Sequence, residues 1–164
     1  MTAPLEFHAL NEADTARLGS AVAAELPMGA VVALHGTLGA GKTRLVQAIA
    51  AAWGIDPKEV VSPTFVLATE HHGQHSLYHI DAYRLADEDE FESLGQHEHF
   101  GGSGVVFIEW AERVSGSLPQ ELVEITVEAT GETSRQFTLA AHWPAGREAL
   151  DRVRRRLDTD KGPA

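Results

Sequence analysis

A single α/β domain built on one mixed sheet, with helices on both faces, is the fold that this 164-residue chain predicts, and three features predict it. The first is "AVVALH", a short β-branched apolar run, followed by a glycine-rich loop and then by "TRLVQAIAAAW", which carries Leu45, Val46, Ile49 and Trp53 at helical spacing. The second is a pair of hairpin patterns. One comprises strands at about 64–71 and 75–81 with a turn at Gly73; the other is "ELVEITVEATGETSRQFTLAA", which alternates in and out around Thr130 and Gly131. The third is "SGVVFIEW", whose continuous apolar run suits a strand covered on both faces. A strand, loop and helix with hairpins added make a mixed sheet flanked by helices.

The remaining elements follow in order. Asn11 is placed to cap a helix with Asp14 three positions on, and Leu18, Val22 and Leu26 mark its apolar stripe until "PMG" ends it. The helix after the glycine-rich loop closes at Gly54 and Pro57. "ADEDEFESLGQHEHF" predicts an acidic, exposed helix, and "AGREALDRVRRRL" a C-terminal one. Residues 1–158 are expected to form one domain and 159–164 a frayed tail. With 43% hydrophobic residues the chain can bury one real core.

Composition narrows the class. The formal net charge is −11, and an acidic molecule is repelled by nucleic acid at long range, so autonomous RNA or DNA binding is disfavoured. The one basic run, Arg152 to Arg156, reads either as the last turns of a helix, where cations suit the dipole, or as a binding patch. There are no cysteines, which excludes thiol nucleophiles and thiolate metal sites. No apolar run approaches the roughly 20 residues of a membrane span, and "MTAPLEFHALNEAD" has no signal-peptide core, so the expected location is the cytoplasm, with no membrane partner.

The chemistry begins at Gly36, Gly41, Lys42 and Thr43, which satisfy G-x-x-x-x-G-K-[ST]. A chance match in a chain this long is on the order of 1 in 200, and the flanking strand and helix patterns make chance a poor account. Such a loop aims consecutive backbone N–H groups and a helix N-terminus at one anion. Lys42 is placed to reach β and γ phosphates, and the Thr43 hydroxyl to ligate Mg²⁺. The fold class sharpens to a single P-loop NTPase domain.

A metal bound there needs a carboxylate at the end of a neighbouring strand. Glu109 follows Val105, Val106, Phe107 and Ile108 and emerges where a core strand stops. Asp81 ends "SLYHID", where Leu77, His79 and Asp81 share one face; it reads as a turn residue capping "AYRL" or as a second carboxylate near the metal or the attacking water. Thr64, stiffened by Pro63, is an ordinary strand start or a γ-phosphate sensor. Arg84 stabilises transition-state charge or pairs with the acidic segment 87–92. Trp110 lies beside Glu109 and hence near the nucleotide. In "HHGQH", His71, His72 and His75 flank a turn, and adjacent strand residues point to opposite faces, which argues against zinc.

No N-K-x-D element accompanies Lys58 or Lys161, so guanine loses its usual reader and ATP is favoured. Between Arg44 and Arg135 the only arginines are Arg84 and Arg113, and the arginine-bearing lid of a small-molecule kinase is not evident. That kinase and a nucleotide-gated adaptor without productive hydrolysis remain the alternative classes.

In this order and at these separations, "GTLGAGKT", "SPTF", "YHIDAYRL" and "FIEW" resemble the bacterial TsaE-type P-loop ATPases required for threonylcarbamoyladenosine formation in tRNA. The resemblance runs from about Glu12 to Arg135, and the four motifs together are far more specific than the loop alone. It implies a protein that binds ATP and Mg²⁺, hydrolyses slowly by itself and works with two partner subunits. These transfer threonylcarbamoyl to the adenosine next to the anticodon, and tRNA is met only through the complex. On this resemblance Gly36, Thr37, Leu38, Gly39, Ala40, Gly41, Lys42 and Thr43 bind the phosphates, and Thr43 and Glu109 hold Mg²⁺. Lys42, Asp81, Glu109 and Thr64 are the catalytic set, Trp110 reports occupancy, and Glu12, Thr15 and Arg135 approach the base and ribose. The departure from the family is the histidine-rich tip at 71–75, expected to be mobile in the isolated protein. The arginine-rich C-terminal helix lies beyond the matched motifs.

Overall fold

The computed structural model of the chain describes residues 3–37, 39–61 and 68–160. Leu38 and Thr64 lie outside the described residues, as do 161–164. Seven strands form one sheet: β1 (Leu5–Ala9), β2 (Val31–His35), β3 (Ala68–His72), β4 (Ser76–Asp81), β5 (Val105–Glu109), β6 (Leu122–Ala129) and β7 (Arg135–Ala141), in the spatial order β1-β7-β6-β2-β5-β4-β3. The centre is parallel, with β2 between β5 and β6 and β4 beside β5. Antiparallel partners close both sides, β7 and β1 beyond β6 and β3 beyond β4. This is why "VVALH" and "VVFIE" are continuous apolar runs: a parallel central strand is covered on both faces, and every residue of β5 is buried.

Helices α1 (Glu12–Glu25), α2 (Lys42–Ala52) and α4 (Pro144–Asp160) cover one face. Their Leu18, Val22, Leu45, Val46, Ile49, Val153 and Leu157 share a core with Val32, Leu34, Phe107, Ile125 and Phe137 of the sheet. The residues between these along the strands, Val31, Ala33, Val106 and Ile108, point the other way and meet Tyr78, Ile80, Leu85 and Phe91. Among the described residues that second face carries short elements, α3 (Glu88–Ser93) and the 3-10 segments Gln96–His99 and Ala111–Ser117. Asn11 caps α1 as expected, its side chain accepting the Asp14 N–H at 2.9 Å. The buried Trp53 indole N–H donates to the Ala23 carbonyl at 3.1 Å and ties the end of α2 to α1, the partner a buried indole requires.

Four features depart from the sequence expectations. Strand β1 was not anticipated; "LEFHA" alternates weakly, and its pairing with β7, from Leu5 opposite Leu139 to Ala9 opposite Arg135, is a long-range contact. The acidic helix is exposed as expected except at the wholly buried Phe91, but it is shorter: α3 stops at Ser93, and a separate 3-10 turn follows at Gln96–His99. The histidine-rich tip is not a free end. The Gln74 N–H donates to the Trp53 carbonyl at 2.7 Å, the His75 ring meets the Trp53 ring edge-on at 5.4 Å, and a Cβ on Gly73 would stand 2.3 Å from that same carbonyl oxygen. The expected mobile tip is thus pinned to the end of α2. Finally, α4 continues through Asp160, past the expected boundary at 158.

That extension changes the account of the arginine run. Arg152 and Arg156 lie inside α4 rather than in its last turn, and both grip Glu25 of α1, each Nε standing 2.7 Å from one carboxylate oxygen. Arg154 pairs with Asp151 at 2.8 Å. These partners serve helix docking rather than a nucleic-acid patch. No helix among the described residues is long and apolar enough to cross a membrane.

The hydrogen bonds from Arg156 and then Arg152 hold the Glu25 carboxyl below the ordinary carboxylate range, against a smaller opposing effect of burial. A depressed carboxylate pKa contributes stability that is present above the unfolded value and is lost as pH falls through the folded one. Glu25→Gln is expected to remove about 1 kcal/mol at neutral pH, roughly 2–4 °C in Tm for a domain of this size. Thermal melts at neutral pH and at successively lower pH should show the difference from wild type shrinking to nothing below the carboxylate range. A gap that persists in acid would show that Glu25 acts through packing.

Candidate nucleotide-binding site

The glycine-rich loop leaves β2 at His35 and enters α2 at Lys42. Gly36 has φ +147°, and a Cβ there would stand 2.5 Å from the Val127 carbonyl oxygen on β6, so only glycine lets the loop lie against the sheet. The Ala40 N–H donates to the Thr37 carbonyl at 3.0 Å, closing a turn inside the loop. Gly41, at φ +111°, is the N-cap of α2 and supplies no side-chain cap. The first-turn N–H groups of α2 therefore lack a side-chain cap and point, with the helix dipole, toward where an anion would lie.

Lys42 is buried and curls back over the loop. Its ammonium donates to the Gly36 carbonyl at 2.7 Å and sits 4.0 Å from the centroid of the Trp110 ring. Burial holds it below the ordinary lysine range, and the carboxylates of Glu109, Glu112 and Asp81 oppose that effect. A cation so placed is held by a carbonyl and an aromatic face, both of which an incoming phosphate can replace with full charge.

Glu109, 3% exposed, is the last residue of β5 and lies on the same sheet face as Phe107, beneath α2. The Thr43 hydroxyl donates to its two oxygens at 3.1 and 3.3 Å, and His79 Nε2 lies 2.5 Å from Oε2. In the parallel register Asp81 of β4 stands directly beside Glu109. Asp81 Oδ1 accepts the Tyr83 N–H at 2.9 Å, so its turn-capping role is realised, and the same buried side chain also lines the cavity. Trp110 has φ 59° and ψ 40°, the one non-glycine with positive φ among the described residues. Backbone strain of this kind, of order 1–3 kcal/mol, concentrates at functional sites.

These groups share one cavity of about 1030 Å³, at the upper end of the range for small-molecule sites, roughly 300–1,000 Å³. The loop residues Gly39 to Thr43 run along it. Asp81, Tyr83, Arg84, Glu109 and Trp110 line it, as do Asn11, Glu12, Thr15, Thr133, Arg135 and Phe137. Arg44 and Glu12 pair at 3.2 Å, and Arg135 is folded onto its own turn through the Gly131 and Ser134 carbonyls at 3.0 and 2.8 Å. Gly36 and Thr37 are not among the residues that line it. Thr64 and Leu38 fall outside the described residues. The sequence reading missed Asn11, Thr133 and Phe137, which lie in no motif, and Tyr83 and His79, whose place in "YHIDAYRL" beside Asp81 was the available signal. His71, His72 and His75 take no part in the cavity lining.

The parallel centre, the loop joining β2 to α2 and the carboxylate ending β5 together define a P-loop nucleotide-binding fold. Comparison with known proteins narrows this: residues 9–137 match the family described as threonylcarbamoyl adenosine biosynthesis protein TsaE, and the chain belongs to that family. The tRNA threonylcarbamoyladenosine biosynthesis protein TsaE of Treponema pallidum is 44% identical over 127 residues, 77% of this chain and 93% of the relative. That of Bacillus subtilis is 39% identical over 138 residues, 84% of this chain and 85% of the relative. The crystal structure of Bacillus subtilis YdiB superposes with a TM-score of 0.78 at 30% identity, covering 94% of this chain and 97% of that one.

Two outcomes follow from the geometry. Lys42→Ala removes the full positive charge behind the loop and should weaken nucleotide binding by about 100-fold or more, two charge-assisted hydrogen bonds at roughly 1.5 kcal/mol each; titration with a fluorescent nucleotide measures it, and unchanged affinity removes Lys42 from the site. Nucleotide binding should also alter Trp110 emission, because the Lys42 ammonium over its ring is drawn to phosphate. The change should vanish in Trp110→Phe; a response that survives belongs to Trp53 or Trp143.

Proposed function

We propose that this chain is the ATP-binding, slowly hydrolysing subunit of tRNA threonylcarbamoyladenosine biosynthesis, a cytoplasmic protein that works with two partner subunits. The observation that carries the reading is the convergence of Lys42, Thr43, Glu109 and Asp81 in one cavity, alongside membership of the TsaE family. The family relatives named above are described as acting in that biosynthesis.

The Thr43 hydroxyl and the Glu109 carboxylate, in contact at 3.1 Å, are hard oxygen donors of the kind Mg²⁺ selects. No group of three or more metal-ligating side chains exists among the described residues, which suits a metal completed by phosphates and water. Thr43 and Glu109 would hold Mg²⁺ there, and the ion would supply positive charge against the charge that develops on the phosphate oxygens. Lys42 draws the same oxygens, and the α2 N-terminus holds the phosphate chain. Asp81, beside Glu109, is placed to orient a water toward the γ-phosphorus; the P–O bond to the β-phosphate breaks and ADP leaves. Thr64 senses the γ-phosphate. Glu12, Thr15 and Arg135, which line the same cavity, face the base and ribose.

Slow turnover follows from what the site offers. Arg44, Arg84 and Arg135 line the cavity among the described residues, Arg44 paired with Glu12 and Arg135 with the Gly131 and Ser134 carbonyls, and an arginine supplied in trans can add roughly 10³ to 10⁵ in rate. The acidic surface and the pairing of Arg152 and Arg156 with Glu25 leave tRNA to be held by the partners. Isolated protein should therefore hydrolyse ATP well below about 1 s⁻¹, and added partner subunits should accelerate it in a titratable way. Glu109→Ala should still bind ATP yet fail to support multiple-turnover tRNA modification in a reconstituted system. Fast turnover alone that is flat with added partner would return the protein to the general ATPase or kinase class.

A further inference from the structure

His79 is the buried titratable group that this reaction scheme leaves unused. It is wholly buried in β4, its Nε2 stands 2.5 Å from Glu109 Oε2, and its Nδ1 has no hydrogen-bond partner among the described residues. Leu77, His79 and Asp81 alternate onto one face of β4, and the parallel register sets His79 opposite Phe107 and Asp81 opposite Glu109. The histidine thus reaches the carboxylate from one residue pair further back in the sheet. Thr43 reaches it from α2 on the other side.

A carboxylate at the end of a strand can rotate about its last torsion, and a metal ligand loses affinity with each orientation it samples. Here one oxygen, Oε2, is held by both His79 and Thr43, while Oε1 meets only the Thr43 hydroxyl, at 3.3 Å, among the hydrogen bonds of the described residues. An ionised carboxylate only accepts, so the ring proton that bridges the pair is the one on Nε2. We infer that His79 is a positioning residue for the nucleotide-bound divalent cation: it holds the Glu109 carboxylate by Oε2 and so fixes the orientation in which both carboxylate oxygens meet the Thr43 hydroxyl. Hydrogen bonds of this kind behind a metal ligand are worth about 10–100-fold in metal affinity. The inference rests on the assignment of Thr43 and Glu109 to the metal.

The test measures metal binding apart from turnover. Mn²⁺ is titrated by electron paramagnetic resonance into the protein with saturating ADP, and nucleotide affinity is measured separately with metal chelated. His79→Leu keeps the volume and removes the donor, whereas His79→Gln can place an amide N–H near the Nε2 position. The expected result is a 10- to 100-fold loss of Mn²⁺ affinity in His79→Leu, metal-free nucleotide affinity within about 2-fold of wild type, and recovery to within about 3-fold in His79→Gln. Should His79→Leu fail to fold, His79→Asn takes its place, since its amide is too short to reach Oε2. Unchanged Mn²⁺ affinity in the donor-less variant, or a Gln variant as weak as it, overturns the inference and leaves the metal assignment standing. Wild-type protein that gains no Mn²⁺ with ADP removes the metal assignment itself.

Discussion

The parallel register of β2, β5 and β4 is the constraint from which the site follows. Leu34, one residue before β2 ends, pairs with Glu109, and Glu109 pairs with Asp81. The phosphate loop and both carboxylates therefore leave the sheet at the same edge, the carboxyl ends of the strands, where ligands of open α/β sheets bind. Antiparallel pairing of β5 with β2 would send the chain after Glu109 to the opposite edge. The alternation of the strands then puts Glu109 and Asp81 on the α2 side, where Glu109 meets Thr43.

Burying two carboxylates and an ammonium at one point is costly unless each is hydrogen-bonded. Glu109 is satisfied by Thr43 and His79, Asp81 by the Tyr83 N–H and Lys42 by the Gly36 carbonyl and the Trp110 face. Trp110 links this network to the surface: its ring meets Tyr83 at 5.0 Å with the planes tilted by 51°, and Tyr83 is half exposed and lies 5.1 Å from the Arg113 guanidinium. The left-handed backbone of Trp110 turns the chain out of β5 and holds its ring over Lys42. Charge at the phosphate site and the packing of exposed Tyr83 thereby meet on the two sides of one ring.

The rest of the fold holds α2 still. Its N-terminus forms the loop, its end is tied to α1 through Trp53 and Ala23, and the β3–β4 tip is fastened to the same Trp53. Beyond the family match at residue 137, α4 packs against α1 and is locked by the Glu25 carboxylate. A helix whose first turn binds phosphate is thus braced along its length by elements from both ends of the chain.

Reading residues in order was enough for the phosphate loop, the central strands, the two hairpins and the candidacy of Lys42, Thr43, Asp81 and Glu109. Each is a local pattern: glycines at fixed spacing, an apolar run that stops at a carboxylate, period-two alternation. The residues that escaped are those whose environment is made by distant chain. Strand β1 exists through β7, Phe91 is buried by the second face of the sheet, and the histidine tip is immobilised by a carbonyl about twenty residues earlier in the chain. His79 is the clearest case. Its place on the Asp81 face is local, but its contact with Glu109 exists only because β4 and β5 lie parallel in one register. Hydrogen bonds across a sheet depend on that register, and a register is a property of two segments at once, which neither segment carries alone.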